Sequence, residues 1–345
     1  MGVWMGNNSK NTKVYIIIPI YNISIEKELL GKVLIDDYCF ISKNTLKTKD
    51  KSFIPNGENN QIFELLDFDI RPTDPLSQFR NIPKYCIFKE IIFDETLNNE
   101  EIKNVRIAEA RKIDKLLFIM RIAQKGDCII GNFYMFSEDS QSASTILSST
   151  PQNPINFGNY NENKLPIELY ECTLEIFESI KSINDKINKI DYSILGIASN
   201  YLSQYYSSND YKDKILKLAI IFESTLLNEH DELSYRLKYR TSSLIKNNVL
   251  EIMNMFYKTR SIIVHSGDIK SDYYSKIKKY LDNLQGSDIN DEYFILYYFV
   301  KKIESIIRIS LINSLDIIVE NNFHSFGDVQ NYLDEQLINT LNRLN

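Results

Sequence analysis

Three side chains in Tyr257-Lys258-Thr259-Arg260-Ser261-Ile262-Ile263-Val264-His265-Ser266-Gly267 carry the most readable chemistry of this chain: Arg260, Ser261 and His265. Histidine is the commonest general acid and base because its ordinary pKa lies near working pH. The chain holds only three histidines: His230, His265 and His324. His230 and His324 sit in polar stretches between helical segments, with no catalytic companion close in sequence. His265 follows an arginine by five residues. A guanidinium fork grips a phosphate in two places, and an imidazole beside it takes or gives a proton. Scission of RNA by its own 2′-OH needs those functions: a base for the hydroxyl, a fixed cation for charge growing on phosphorus, and an acid for the departing 5′-oxygen. No metal or cofactor is required, and the sequence offers neither HExxH nor a Cys/His cluster.

Five residues at about 100° each put Arg260 and His265 roughly 140° apart on an ideal helix. One chain therefore does not present both groups on one face. Fraying of the helix near Gly267, or a second subunit supplying matching groups, would bring them together.

Four further residues join the candidate set. Glu223 stands in the apolar run Leu218-Ala219-Ile220-Ile221-Phe222-Glu223, where a carboxylate needs a partner. Pairing with Arg236, Arg240 or Arg260 is the structural reading, and tuning of His265 the functional one. Arg236 and Arg240 are four apart and share a helix face; salt bridging to Glu223 and contact with RNA are both open to them. Tyr257, three before Arg260, packs inward or stacks on a base. Lys258 is a candidate RNA-phosphate contact together with Arg240. The cluster Tyr293 to Phe299 (YFILYYF) reads as core or dimer surface.

The elements that must position these groups come from periodicity. Lys13 to Tyr21 is β-branched and aromatic and predicts a buried strand, with Pro19 marking its end or an edge position. Residues 31–100 mix short apolar segments with turn signals at Asn56-Gly57 and Arg71-Pro72. Glu100 to Gln124 follows a 3.6-residue period, so a helix is expected there, stopped at Lys125-Gly126-Asp127. Cys128 to Phe136 predicts one more strand. Residues 137–162, rich in Ser, Asn, Pro and Gly, read as a linker. Beyond Leu165 helices are expected at 165–187, 192–207, 210–228, 231–246, 247–265, 270–284, 289–320 and 327–343. The fold class expected is α+β in two domains: a β-rich N-terminal domain at 1–136 and an all-helical one at 163–345.

Composition agrees with two domains, since 345 residues exceed the usual span of one and 43% hydrophobic content allows proper cores. The net charge of −6 excludes a global basic field. Residues 231–280 nevertheless hold ten Lys or Arg against five Asp or Glu, a local balance of +5. That suits phosphate contact or a solvated helical face. Cys39, Cys86, Cys128 and Cys172 form no CxxC pair and read as free thiols in a reducing compartment. The Met1 end lacks a basic-then-apolar leader, and no apolar run approaches the roughly 20 residues of a membrane span. A cytoplasmic protein without membrane association is expected.

Residues 199–267 resemble the HEPN superfamily, in particular its Apea-like group. The segments that carry the resemblance are Tyr201 to Tyr206 (YLSQYY), Asp213 to Leu227 (DKILKLAIIFESTLL), Glu232 to Leu244 (ELSYRLKYRTSSL) and Tyr257 to Gly267 (YKTRSIIVHSG). Their order matches the group's pattern: a helix with a Glu in its apolar face, an acidic-S-Y-R-L helix with a second Arg, then Y-x-x-R-S-x-x-V-H-G. The R-x-x-x-x-H motif is met by Arg260 and His265, and its polar companion by Ser261. Ile113 to Asp127 resembles the region preceding such domains. One departure is the Ser266 that intervenes before Gly267, where the family places Gly directly after His. The resemblance implies a helical bundle that forms a homodimer, with the Arg-His motifs of two subunits meeting in one cleft. It also implies metal-independent RNA cleavage in phage defence or toxin–antitoxin systems, or, in silent members, RNA or partner binding alone. By the same resemblance Arg260 would bind the scissile phosphate, His265 would move the protons and Ser261 would hydrogen-bond within the cleft. The N-terminal domain would then answer a phage-derived trigger or regulator.

Overall fold

The computed structural model describes residues 12–42, 84–94, 97–126, 128–131, 133–137, 168–208, 210–227, 233–247, 249–285 and 291–344. His230, the turn signals at 56–57 and 71–72, and residues 138–162 of the expected linker lie outside them. The chain is mixed α+β, an N-terminal antiparallel sheet followed by helices. It divides into two units: residues 1–117 with 126–181, and residues 118–125 with 182–345.

The first unit is built on a six-stranded sheet. Its strands are β1 (Thr12–Tyr21), β3 (Val33–Ile35), β4 (Tyr38–Ser42), β5 (Tyr85–Phe93), β6 (Ile129–Ile130) and β7 (Tyr134–Ser137). The order is β3-β4-β5-β1-β6, with β7 also beside β1. Val14 to Ile20 are all buried, as a run with no polar alternation requires when both faces are covered. Of the two places expected for Pro19, it lies near the end of β1, two residues before Tyr21, and the edge position is not what forms: β1 is central, between β5 and the β6–β7 pair. The reason is local. Within a strand, a residue's N–H and C=O point to the same side, and the Pro19 carbonyl accepts from Gly131 N–H at 2.8 Å on the β6 side. The missing N–H therefore falls in the gap between the end of β6, opposite Ile20, and the start of β7, opposite Ile17. The same switch divides the single strand expected at 128–136 into two.

The hairpin β3–β4 turns through Asp36 and Asp37, at φ 48° and 65°, a left-handed pair that aspartate tolerates. A separate parallel ribbon joins β2 (Ile23–Ile25) to β8 (Tyr170–Cys172). Residues 170–172 were expected to be helical; the strand of Ile23–Ile25 recruits them instead, a tertiary contact that local pattern does not carry. Helix α1 (Asn99–Ala123) begins with a reciprocal cap. Asn98 Oδ1 accepts from Glu100 and Glu101 N–H, while Glu101 Oε2 accepts from Asn98 N–H at 2.7 Å. Gly126, at φ +124°, ends the segment, and a Cβ there would lie 2.7 Å from the Tyr170 Cα. Glu109 of α1 accepts hydrogen bonds from Tyr38 (2.6 Å), Lys89 (3.0 Å) and Lys112 (2.6 Å), which anchors α1 on strands β4 and β5. Cys86, Cys128 and Cys172 are buried, Cys39 is partly so, and none of the four is joined in a disulfide. Burial and the Glu26 charge push the Cys172 thiol up to about 12.

The second unit is helical. Helix α2 (Leu174–Ile187) leads into it, followed by α3 (Gly196–Ser207), α4 (Tyr211–Leu226), α5 (Leu233–Ile245), α6 (Leu250–Ser266), α7 (Ser271–Gln285), α8 (Glu292–Asn321) and α9 (Phe326–Leu344). Its core contains Leu218, Phe222, Phe256, Ile277, Phe299, Ile303 and Leu311. Helix α8 opens on Asp291, whose carboxylate accepts from Tyr293 and Phe294 N–H. Buried at the heart of this unit, Glu304 accepts from Tyr205 (2.7 Å) and Tyr206 (2.5 Å) and pairs with Lys301 at 3.1 Å. Burial alone would raise its pKa. Lys301, the Tyr206 hydroxyl, Arg308 and the Tyr205 hydroxyl outweigh burial and hold the carboxyl below its ordinary range.

Candidate active site

Helix α6 carries the whole candidate set of the R-x-x-x-x-H segment. It stays α-helical through Ser266 and is closed by Gly267 in the left-handed region at φ 74°, with Gly267 N–H bonded to the Ile263 carbonyl at 2.9 Å. Nothing lies within 4 Å of a Cβ at Gly267, so glycine answers the backbone conformation there and not a close approach. Ser266 Oγ reaches the Ile262 carbonyl at 2.6 Å, so the extra serine is accommodated by continuing the helix one residue further. Fraying therefore does not bring Arg260 and His265 together.

The helix is fixed on its inner side. Ile252, Met253, Phe256, Thr259 and Ile263 are buried. Thr259 Oγ1 donates to the Met255 carbonyl at 2.8 Å, and Tyr273 of α7 donates to the same oxygen at 3.1 Å. Burial raises the Tyr273 phenol above its ordinary range, so it stays a donor. At 100° per residue, the arc from Arg260 to His265 passes Val264, Tyr257 and Ser261. His265 and Lys258 are exposed, Val264 is 53% exposed, and Arg260, Ser261 and Tyr257 are half-buried. Arg260 and His265 thus stand at the two ends of a partly exposed arc of roughly 140° and do not face one another.

Glu223 of α4 finds its partner in Arg260: Nη2 lies 3.0 Å from Oε1, with both side chains 28% exposed. The oxygen is buried without an aligned hydrogen bond, so this contact is an ion pair off the N–H axis. The Arg260 guanidinium carbon also lies 5.9 Å from the Tyr257 ring centre, near the outer limit of a cation–π contact. Glu223 and Tyr257 together hold the guanidinium at the helix surface.

Arg240 is placed elsewhere. It is 2% exposed, and its fork grips both Asp334 oxygens, at 2.8 Å and 2.6 Å. A third donor, Nη1, caps the Leu226 carbonyl. That carbonyl belongs to the last turn of α4, where a cation is favoured. Gln330 of α9 donates to the neighbouring Thr225 carbonyl at 3.0 Å. Arg240 thus fixes the end of the helix that carries Glu223, and its partner is Asp334, not Glu223. Arg236 lies half-buried one turn earlier. Two supporting contacts escaped sequence reading. Asp334 is 94 residues from Arg240, with no periodic relation to it. Lys212 pairs with Asp268 at 2.7 Å, steadying the chain just beyond Gly267. That bond raises Lys212 and lowers Asp268 in pKa.

His324 lies apart from this helix, exposed before α9, with its backbone N–H bonded to Asp328 at 3.0 Å. Among the described residues no group of three or more His, Cys, Asp or Glu is arranged to hold a metal ion, and no helix is long and apolar enough to cross a membrane. Comparison of the chain with protein-family models, curated proteins and solved structures gives no match, so the family resemblance rests on the quoted residues themselves.

Proposed function

We propose that this chain is a metal-independent endoribonuclease of HEPN type, acting as a phage-defence or toxin effector. The helical part from residue 163 is its nuclease domain and the β-rich part at 1–136 its sensor. The observation that carries the reading is the paired placement on α6: a guanidinium held at the surface by Glu223, and an exposed imidazole in the last turn of the same helix. Arg260 would take the scissile phosphate by its second edge. His265 would remove the 2′-OH proton, and an imidazole would return one to the 5′-oxygen, so that a 2′,3′-cyclic phosphate and a 5′-OH form. Ser261, between them on the arc, would hydrogen-bond a non-bridging oxygen, and Lys258 would meet the adjacent phosphate.

Because α6 is regular to its end, the two groups converge only when a second copy faces the first across a twofold axis. The exposed Val264 beside His265 suits such a covered face. The test is incubation of total RNA in EDTA with wild type, Arg260→Ala and His265→Ala. Cleavage by wild type alone supports the reading, and identical profiles from all three remove it.

The second reading is a catalytically silent HEPN module that binds RNA or assembles partners. The occupation of Arg260 by Glu223 favours it, since a carboxylate already fills one face of the phosphate-binding group. Intact RNA in every lane, with RNA retained by wild type and lost from Arg260→Ala, would select it.

A further inference from the structure

We propose that the outer face of α5 is a stacking platform for single-stranded RNA, separate from the Arg260–His265 helix face. This rests on the reading that RNA is the ligand of the helical unit. Helix α5 has two faces. Leu237, Thr241 and Leu244 are buried at 1%, 0% and 3% exposure, and at 100° per residue they cluster on one side. The opposite side carries Tyr235 and Tyr239, with Lys238 on its flank and Lys246 in the turn that follows. Tyr235 is 47% exposed, and its ring centre lies 4.3 Å from that of Tyr239. Two phenol rings in contact, tilted 45° to each other and one nearly half open, form a π-faced ledge with a notch into which a base can stack.

The charge around the ledge identifies its occupant. From Leu233 to Asn247 there are four Lys or Arg and no Asp or Glu, in a chain of net charge −6. Arg240 is buried and paired with Asp334, so the outward charge counted is that of Lys238 and Lys246. Lysines beside paired aromatic rings are what a sequence-tolerant single-strand site requires. A duplex hides its base faces and cannot use the ledge. A neutral or basic protein partner would leave the lysines uncompensated.

The test uses the full chain carrying His265→Ala, so that RNA survives, and a fluorescent oligouridylate as probe. Replacing Tyr235 and Tyr239 by Ala should weaken binding about tenfold, while the Phe pair should bind as the parent does. Replacing Lys238 and Lys246 by Gln should reduce the slope of log affinity against log salt by about 1.4. Unchanged affinity in the folded Ala pair, or in a Tyr235→Ala single variant, overturns the proposal. So does an equal loss for polyvinyl sulfate, which has no bases to stack. The outcomes separate from those of the nuclease reading. Wild type that binds RNA through α5 without cutting it keeps the platform and removes the nuclease. Wild type that cuts, beside a Tyr variant that binds unchanged, does the reverse.

Discussion

The Glu223 carboxylate on α4 stands 3.0 Å from the Arg260 guanidinium on α6. It restrains the cation proposed to take the scissile phosphate. A partly exposed pair of this kind contributes at most about 1 kcal/mol to stability, so its larger effect is on position. Glu223→Gln should therefore leave the melting temperature within a few degrees of wild type while lowering kcat about tenfold or more. KM should not rise, because removing a carboxylate leaves the phosphate site more positive. A risen KM with unchanged kcat would assign Glu223 to binding instead.

Mixing inactive variants tests whether the site is shared. Arg260→Ala and His265→Ala should each be inactive alone. Co-expressed in equal amounts, half of the dimers carry one of each, and each of those keeps one of its two Arg–His sets if the partners come from different chains. Recovery of about a quarter of wild-type activity is expected in the unfractionated mixture, and about half in the mixed dimers isolated through two different tags. No recovery in verified mixed dimers would place both groups of each site on one chain.

Arg240 is an anchor. Removing it leaves the Asp334 charge without its fork and the last carbonyls of α4 without a cap. Arg240→Ala should cost about 1–3 kcal/mol, the range for losing hydrogen bonds to a charged group and uncapping a buried carbonyl, because the Asp334 left behind is itself 38% exposed; Arg240→Lys should recover little of it, since an ammonium cannot span both oxygens and the carbonyl. Thermal unfolding reads both. Stability close to wild type with selective loss of RNA binding would instead make Arg240 a direct RNA contact.

Acid should loosen both units. Glu109 and Glu304 have folded-state pKa values lowered, by hydrogen bonds and neighbouring cations that overcome burial. A carboxyl lowered on folding stabilises the fold above its unfolded value of about 4.3 and loses that contribution as pH falls through the folded value. Denaturation midpoints should thus be flat from neutral pH to about 5 and fall below about 4.3. Glu304→Gln should flatten that fall at the helical unit while lowering stability at neutral pH.

Much of the framework was legible in the sequence because periodicity reports burial. The strand at β1, helix α1 and the helices from α3 to α9 fall within a few residues of where apolar spacing places them. What local pattern missed was decided by distant partners. Residues 170–172 form a strand because Ile23–Ile25 is beside them. Pro19 sits in a central strand because two short partners meet there. In the candidate site, the 140° separation followed from counting residues, and the regular helix preserves it. Arg260 as the partner of Glu223 was one of three options the sequence left open. The role of Arg240 was not legible, because Asp334 lies on a helix 94 residues away.

The central claim is that Arg260 and His265 act on one phosphodiester without a metal. The most direct measurement is end-group analysis of a defined RNA after single-turnover incubation in EDTA. The account predicts 2′,3′-cyclic phosphate and 5′-OH ends from wild type and intact RNA from His265→Ala. Ends bearing 3′-OH, or equal cleavage by the His265→Ala chain, would contradict it.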